Sequence, residues 1–434
     1  RFALLAPHQA GWNVDTTRPY RMTLPSGRSI VLFFYDGPAS RAVAFERLLD
    51  DGALFKSRLS ALLEAPSDRE RLAHIATDGE SYGHHHKHGE MALAYALKLF
   101  EADSSLALTN YGEFLDRVPA SESDHLGQPV RLNEPSSWSC AHGVERWRAD
   151  CGCASGQNPT WNQAWRAPLR QALNLLKESA DRLFEREAKA FAPDPWALRN
   201  EAFAWLRDPR APLPLEEGLG LQERSRLRSL LELQKNALFS LTSCAWFFDD
   251  IGGLEVRQNL RYADRVLELL ASWGDHTTES AFLEQLAQAK SNDPAQVDGR
   301  KVFLDRVRPL RRGLPDSAAQ LFILKAQDLV PEPAPQLEAE VGIERRFVKD
   351  GVSVVEGHVA LRRAESAEKA RYAVQALFGD PWQITLTDEQ GVARNFDESV
   401  LSHDQVRSLL KMDLERAHRR WQHYLRASDL HEGT

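Results

Sequence analysis

Residues 75–90 read Ile75-Ala76-Thr77-Asp78-Gly79-Glu80-Ser81-Tyr82-Gly83-His84-His85-His86-Lys87-His88-Gly89-Glu90, two carboxylates and four histidines ahead of a final Glu. Acid/base work on a glycosidic bond needs two carboxylates flanking it, roughly 5–5.5 Å apart when configuration is retained. One of the pair must be kept protonated by burial or by a like charge. Asp78 follows the apolar run Leu72 to Ala76, so it suits a catalytic acid at the end of a strand. Glu80, two residues on, is expected to turn toward the loop or to cap a helix start. The plainer alternative is that Asp78 only opens the loop. Among the histidines, His84 and His88 share a face if the helix has begun there. With Glu90 or Asp78 they would offer metal ligands, yet no His-Glu-x-x-His is present. Hydrogen bonding of His84, His85 and His86 to sugar hydroxyls and to Asp78 is the favoured use.

The elements that must position these groups alternate between strand and helix. Phe2 to Ala6 leads into Pro7-His8-Gln9, and Ser29 to Tyr35 leads into Asp36-Gly37-Pro38. An amphipathic stretch from Ser40 to Leu63 follows. Leu72 to Thr77 is expected as a strand, a helix-like pattern covers about His85 to Phe100, and Leu106 to Thr109 is a further strand before a helix over Tyr111 to Val118. Short, nearly unbroken apolar runs fit parallel strands covered on both faces. His8, Asp36 and Asp78 stand at the same point of three such units, the C-terminal rim of a β/α barrel.

Beyond this, Ser136 to Cys153 is irregular and rich in Trp and Cys. Cys140, His142, Cys151 and Cys153 could bind zinc, pack as thiols or form a disulfide; the one-residue spacings are unusual for structural zinc. Trp138, Trp147, Trp161 and Trp165 could be sugar platforms or core. Helical periodicity fills about 161–330, broken by Pro193, Pro195, Pro209, Pro212, Pro214 and Gly252-Gly253. Asp249, Asp250 and Glu255 could line a cleft or cap a helix at that glycine turn. Pro331 to Pro335 reads as a linker, Val352 to Leu361 and Ala370 to Leu386 as antiparallel strands, and His403 to Leu425 as a closing helix.

Composition narrows the classes. At 434 residues, two or three domains are expected. The net charge of −8 argues against nucleic acid or anionic membrane as a partner. No apolar run approaches the ~20 residues of a membrane span. Four cysteines are too few for a disulfide framework and favour a reducing, cytoplasmic location. The chain opens at Arg1 inside a strand-like segment, as a piece of a longer polypeptide would.

Thr77-Asp-Gly-Glu-Ser-Tyr-Gly83 resembles the fourth conserved region of the family 57 glycoside hydrolases, and Ser243-Cys-Ala-Trp-Phe-Phe-Asp-Asp-Ile-Gly-Gly253 is similar to their fifth. In the second stretch Cys244, Ala245, Gly252 and Gly253 match and Trp246 keeps an aromatic position. Phe248 and Asp249 depart from the usual His and Gly. The resemblance covers residues 1 to about 260 and looks closest to a bacterial branch with a long C-terminal domain of unknown function. Ala6 to Ala10, Tyr35 to Gly37, Gly83 to His86 and Ser137 to His142 are similar to that branch.

The expected fold is α/β: the C-terminal half of an incomplete (β/α)7 TIM-like barrel over 1–130, as the resemblance implies, then by periodicity a mainly helical domain over 131–330 and a β-rich domain over 331–434. The resemblance also implies a retaining α-glucan hydrolase or 4-α-glucanotransferase with Asp78 as acid/base, no cofactor, and the nucleophilic Glu on a strand preceding Arg1. The isolated chain is then expected to be inactive and poorly soluble. His8, Asp36, Glu80, His84, His85, His86, Trp138, Cys244, Trp246, Asp249 and Asp250 are expected to contact an oligo- or polysaccharide. A metal-dependent deacetylase or mannosidase, and a glucan-binding protein without turnover, are the other classes open.

Overall fold

The computed structural model describes residues 2–67, 69–117, 130–156, 158–202, 205, 213, 215, 217–311, 313–329, 337–363, 368–379, 381–397 and 400. The expected linker at 331–335, the closing helix from His403 and three of the five prolines (Pro209, Pro212, Pro214) lie outside them. The chain divides into two compact units, Arg1–Cys153 and Ala154–Thr434.

In the first unit, β1 (Phe2–Leu5) runs parallel to β3 (Ser29–Phe34), and β2 (Tyr20–Thr23) pairs antiparallel on the other side of β3. Leu5 sits opposite Phe34, so both strands end at one level and release the His8 and Asp36 loops from the same edge. β3 is covered on both faces. Leu32 and Phe34 pack with Tyr20, while the Phe33 ring meets Tyr111, His74 and Phe114.

The amphipathic stretch is not one helix. It breaks into α1 (Gly37–Phe45) and α2 (Gly52–Ser60) because Asp36 and Asp51 each cap a new start, and Arg47 adopts φ 59° between them. α3 spans Gly89–Glu101 and α4 Tyr111–Arg117. Two expected strands are absent. Residues 72–77 make isolated bonds, Leu72 N–H to Thr17 O and Ala76 N–H to Ser40 Oγ, with no ladder. Residues 106–109 follow a turn closed by Leu106 N–H to Asp103 O.

The irregular segment 131–153 belongs with this first unit, whereas the sequence placed a boundary at 130. Asn133 N–H donates to Gln9 O at 2.7 Å, and His8 Nε2 donates to Ser137 O at 2.8 Å, tying the segment to the loop after β1.

The second unit opens with helices α5 (Arg166–Ala188), α6 (Pro195–Glu201), α7 (Leu221–Phe239), α8 (Leu254–Ser272) and α9 (Thr278–Leu286). Next, α10 (Leu314–Ala326) covers a five-stranded antiparallel meander: β4 (Leu337–Lys349), β5 (Val352–Arg363), β6 (Lys369–Phe378), β7 (Gln383–Asp388) and β8 (Ala393–Phe396). Phe322 and Ala318 of α10 share a core with Val359, Val374 and Leu386. The sheet is therefore joined to a helix that the sequence had grouped with the preceding domain. Asp350 and Gly351, both at positive φ, form the two-residue turn between β4 and β5.

At Gly357 in β5 an added Cβ would lie 2.0 Å from the Gly342 carbonyl oxygen and 3.0 Å from the Phe322 ring. Backbone cannot yield as a side chain does, so Gly357→Ala should cost about 1–3 kcal/mol. Thermal unfolding checks this, and an unchanged melting temperature would mean that β4 shifts freely.

Candidate functional site

A cavity of about 1230 Å³ opens at the strand ends of the first unit. Its wall comprises the ends of β1 and β3, the loop at His8 and Trp12, the Thr77–Asp78 corner, Ser136 to Ser139, and Trp147. His8 and Asp78 thus share one chamber although 69 residues of chain separate them. Trp12 and Trp138 are 68% and 54% exposed, and the Trp12 ring lies 5.7 Å from that of His8.

Asp78 and Glu46 are the carboxylates on the lining, and their circumstances differ. Glu46 is ion-paired with Arg41 at 3.0 Å. Asp78 is exposed, opens a single 3-10 turn (Gly79–Ser81) and makes no side-chain capping bond to it. Asp78 thus lines the cavity without its carboxylate being used to cap the turn it opens.

The neighbours of Asp78 go elsewhere. Gly83, at φ 118°, donates to His86 O and closes a tight reversal in which His84 and His85 N–H groups both donate to Glu80 O. The helix begins only at Gly89, so His84 and His88 do not share a helical face. His86 donates through Nε2 to Ala44 O at 3.0 Å. Glu80, His84, His85 and His86 are not part of the cavity lining, and Asp36 spends its carboxylate on the Ala39 N–H at the head of α1.

Four ligating side chains converge beside the cavity wall. Cys140 Sγ lies 4.0 Å from Cys151 Sγ, 3.9 Å from Cys153 Sγ and 4.0 Å from His142 Nδ1, with His142 Nδ1 3.5 Å from Cys153 Sγ. None of the described cysteines is in a disulfide. Burial would raise the Cys140 thiol. The backbone N–H groups of Arg146 and His142, the His142 ring and Cys153 outweigh it, bringing the value to about 7. Burial and the neighbouring sulfurs push Cys153 up to about 11.

With this geometry in view, comparison with known proteins gives one family. The domain of unknown function DUF3536 matches residues 161–390. The chain belongs to the DUF3536 family. No curated protein matches it. Two solved structures resemble this DUF3536 protein. One is an exo-type maltose-forming amylase from Pyrococcus sp. ST04, with TM-score 0.47 and 16% identity over 65% of this chain and 54% of the other. The second is the α-amylase AmyC from Thermotoga maritima, with TM-score 0.34 and 14% identity over 70% of this chain and 60% of the other. The DUF3536 protein thus spans little more than half the length of either. No described helix is long and apolar enough to cross a membrane.

Inside the DUF3536 domain, the downstream motif is structural in its bonding. Trp246 is wholly buried, with the Arg170 guanidinium 5.6 Å from its ring centre. Asp249 accepts from the Ser155 N–H at 2.8 Å and from its hydroxyl. Asp250 accepts from Gly252 N–H at 2.7 Å, Asn292 N–H at 2.6 Å and the Ser291 hydroxyl. These two carboxylates tie the 249–253 turn to the 155 and 291 segments of the DUF3536 protein, and Cys244 is exposed. The sequence reading gave all four to a sugar, and it overlooked Trp12. A Trp directly after the Gly that ends a strand-end loop was the available signal. Trp12 holds φ 64°, a conformation costly for a bulky residue and often found at functional sites.

Proposed function

We propose that this protein acts on α-glucans as a retaining glycoside hydrolase or glucanotransferase of the family 57 type, with Asp78 as general acid/base. The observation that carries the reading is an exposed carboxylate at the wall of a large chamber that also holds two exposed tryptophans. The volume exceeds the ~300–1,000 Å³ typical of sites for small ligands, which favours an oligomer over a single metabolite. Tryptophan presents an apolar body beside polar groups, as the mixed surface of a pyranose ring requires. The resemblance around Thr77 to Gly83 adds the reaction class.

Asp78 would protonate the leaving oxygen, then deprotonate the incoming water or sugar hydroxyl. A glucan seated over it would exclude water and favour its neutral form. The resemblance puts the nucleophilic Glu outside residues 1–434, and the proposal keeps it there. His8, held by Ser137 O, and Trp138 would contact the sugar.

Binding of maltooligosaccharides, followed by calorimetry, tests the chamber. Trp138→Ala should weaken binding roughly tenfold, about 1.4 kcal/mol. Leu254→Ala, at an exposed apolar residue of the second unit, should leave it unchanged. No oligosaccharide binding by the folded protein, or equal loss in both variants, would dismiss the glucan reading.

A further inference from the structure

The geometry points to a closed zinc site formed by Cys140, His142, Cys151 and Cys153, which clamps the tryptophan-bearing loop into the cavity wall. The four ligand atoms lie within 4.8 Å of one another. A zinc ion with Zn–S bonds of about 2.3 Å sets the edges of its tetrahedron at about 3.8 Å. The observed sulfur separations of 3.9 and 4.0 Å and the sulfur–nitrogen separations of 3.5 and 4.0 Å lie close to that figure. A disulfide would bring two sulfurs to about 2.05 Å and leave the imidazole without a role.

The donor set narrows the metal. Three thiolates and one imidazole are too soft for magnesium or calcium, which take oxygen. An iron–sulfur cluster spreads its thiolates around several metal atoms, wider than this set allows. Four protein ligands complete a tetrahedron, so no position is left for water, which marks a structural site.

The backbone is shaped for convergence. Cys140 and His142, like Cys151 and Cys153, are two residues apart. Gly152 between the second pair holds φ 76°, and Gly143 after His142 holds φ 79°. At Gly143 a Cβ would also lie 2.7 Å from the Pro135 carbonyl oxygen, so the reversal there requires glycine. The consequence reaches the cavity. Ser136 to Ser139 run directly into Cys140, and Trp147 lies between His142 and Cys151, so the ligands adjoin one part of the wall that this segment supplies and bracket the other. A metal clip closing a loop of this kind restricts its alternatives.

The test uses the whole chain, purified in reductant without added chelator. Elemental analysis should find one zinc per chain. Replacement by cobalt should give the ligand-field and charge-transfer bands of a tetrahedral thiolate site. Cys151→Ser should lose the metal while Cys244→Ser, at an exposed cysteine outside the cluster, retains it. Chelation should expose residues 140–153 to protease. Folded protein that neither carries zinc nor gives those cobalt bands overturns the proposal, as does metal retained in Cys151→Ser. If Cys151→Ser fails to fold, the wild-type cobalt spectrum decides: octahedral or absent bands reject the site, and tetrahedral thiolate bands support it.

Discussion

Asp78→Asn should lower turnover of ordinary α-glucans by roughly 100- to 10,000-fold in a protein that carries the complete catalytic pair, the range that general acid/base catalysis supplies. The substitution keeps the shape of the side chain and removes the ionisable proton. Because Asp78 makes no side-chain capping bond and lies exposed at the cavity, folding should be nearly unaffected. The defect should therefore appear in kcat rather than in binding. A substrate with a good leaving group needs little protonation, so its first step should be much less impaired. Glu80→Gln should have a smaller effect, since the part of Glu80 that organises the loop is its carbonyl oxygen, accepting from His84 and His85. Equal losses by Asp78→Asn on activated and unactivated substrates would remove Asp78 from the acid/base role.

The parts of this molecule that can be read from the chain are those governed by local rules. The ends of Phe2–Leu5 and Ser29–Phe34 were visible because apolar runs stop there and polar loops begin, which is why His8 and Asp36 could be placed at one edge; Asp78 was added through a strand at 72–77 that is absent, yet it lines the same cavity as His8. In the meander at 337–396 the alternation of Val352 to Leu361 and Ala370 to Leu386 was legible, although the reading began one strand late and ended before β8.

What escaped depends on partners distant in sequence. Residues 72–77 have the apolar pattern of a strand, but a strand needs a neighbour offering a full ladder, and the backbone here is bonded at scattered single points, to Thr17, Asp36 and Ser40. Trp246, Asp249 and Asp250 look like site residues by type. Their burial, and their bonds to Ser155 and Ser291, are set by packing between residues more than 40 positions apart in sequence. The Cys and His spacing left zinc, thiols and disulfide all open, because convergence of side chains depends on where Gly143 and Gly152 turn the chain.

Arg265→Ala should destabilise the second unit by about 3–5 kcal/mol, the cost of leaving a buried charge without its partner. Arg265 on α8 donates to Glu232 of α7 at 2.6 Å and to Glu268, one turn along α8, at 2.6 Å. Burial disfavours the guanidinium charge, yet the two carboxylates hold its pKa well above the ordinary value for arginine. The exposures decide what is lost. The Glu232 side chain is only 2% accessible, so water cannot take over when the arginine goes, whereas Glu268 is 33% accessible and can be solvated. The penalty should therefore come through Glu232. Pairing Arg265→Met with Glu232→Leu should recover most of the loss, because apolar groups of similar volume need no counter-ion. Hydrogen exchange on α7 and α8 localises the effect better than a single melting temperature, since a chain of two units need not unfold in one step. A loss under about 1 kcal/mol in Arg265→Ala, the range of exposed pairs, would mean that water reaches Glu232. Additive losses in the double variant would instead show that the two side chains stabilise α7 and α8 independently.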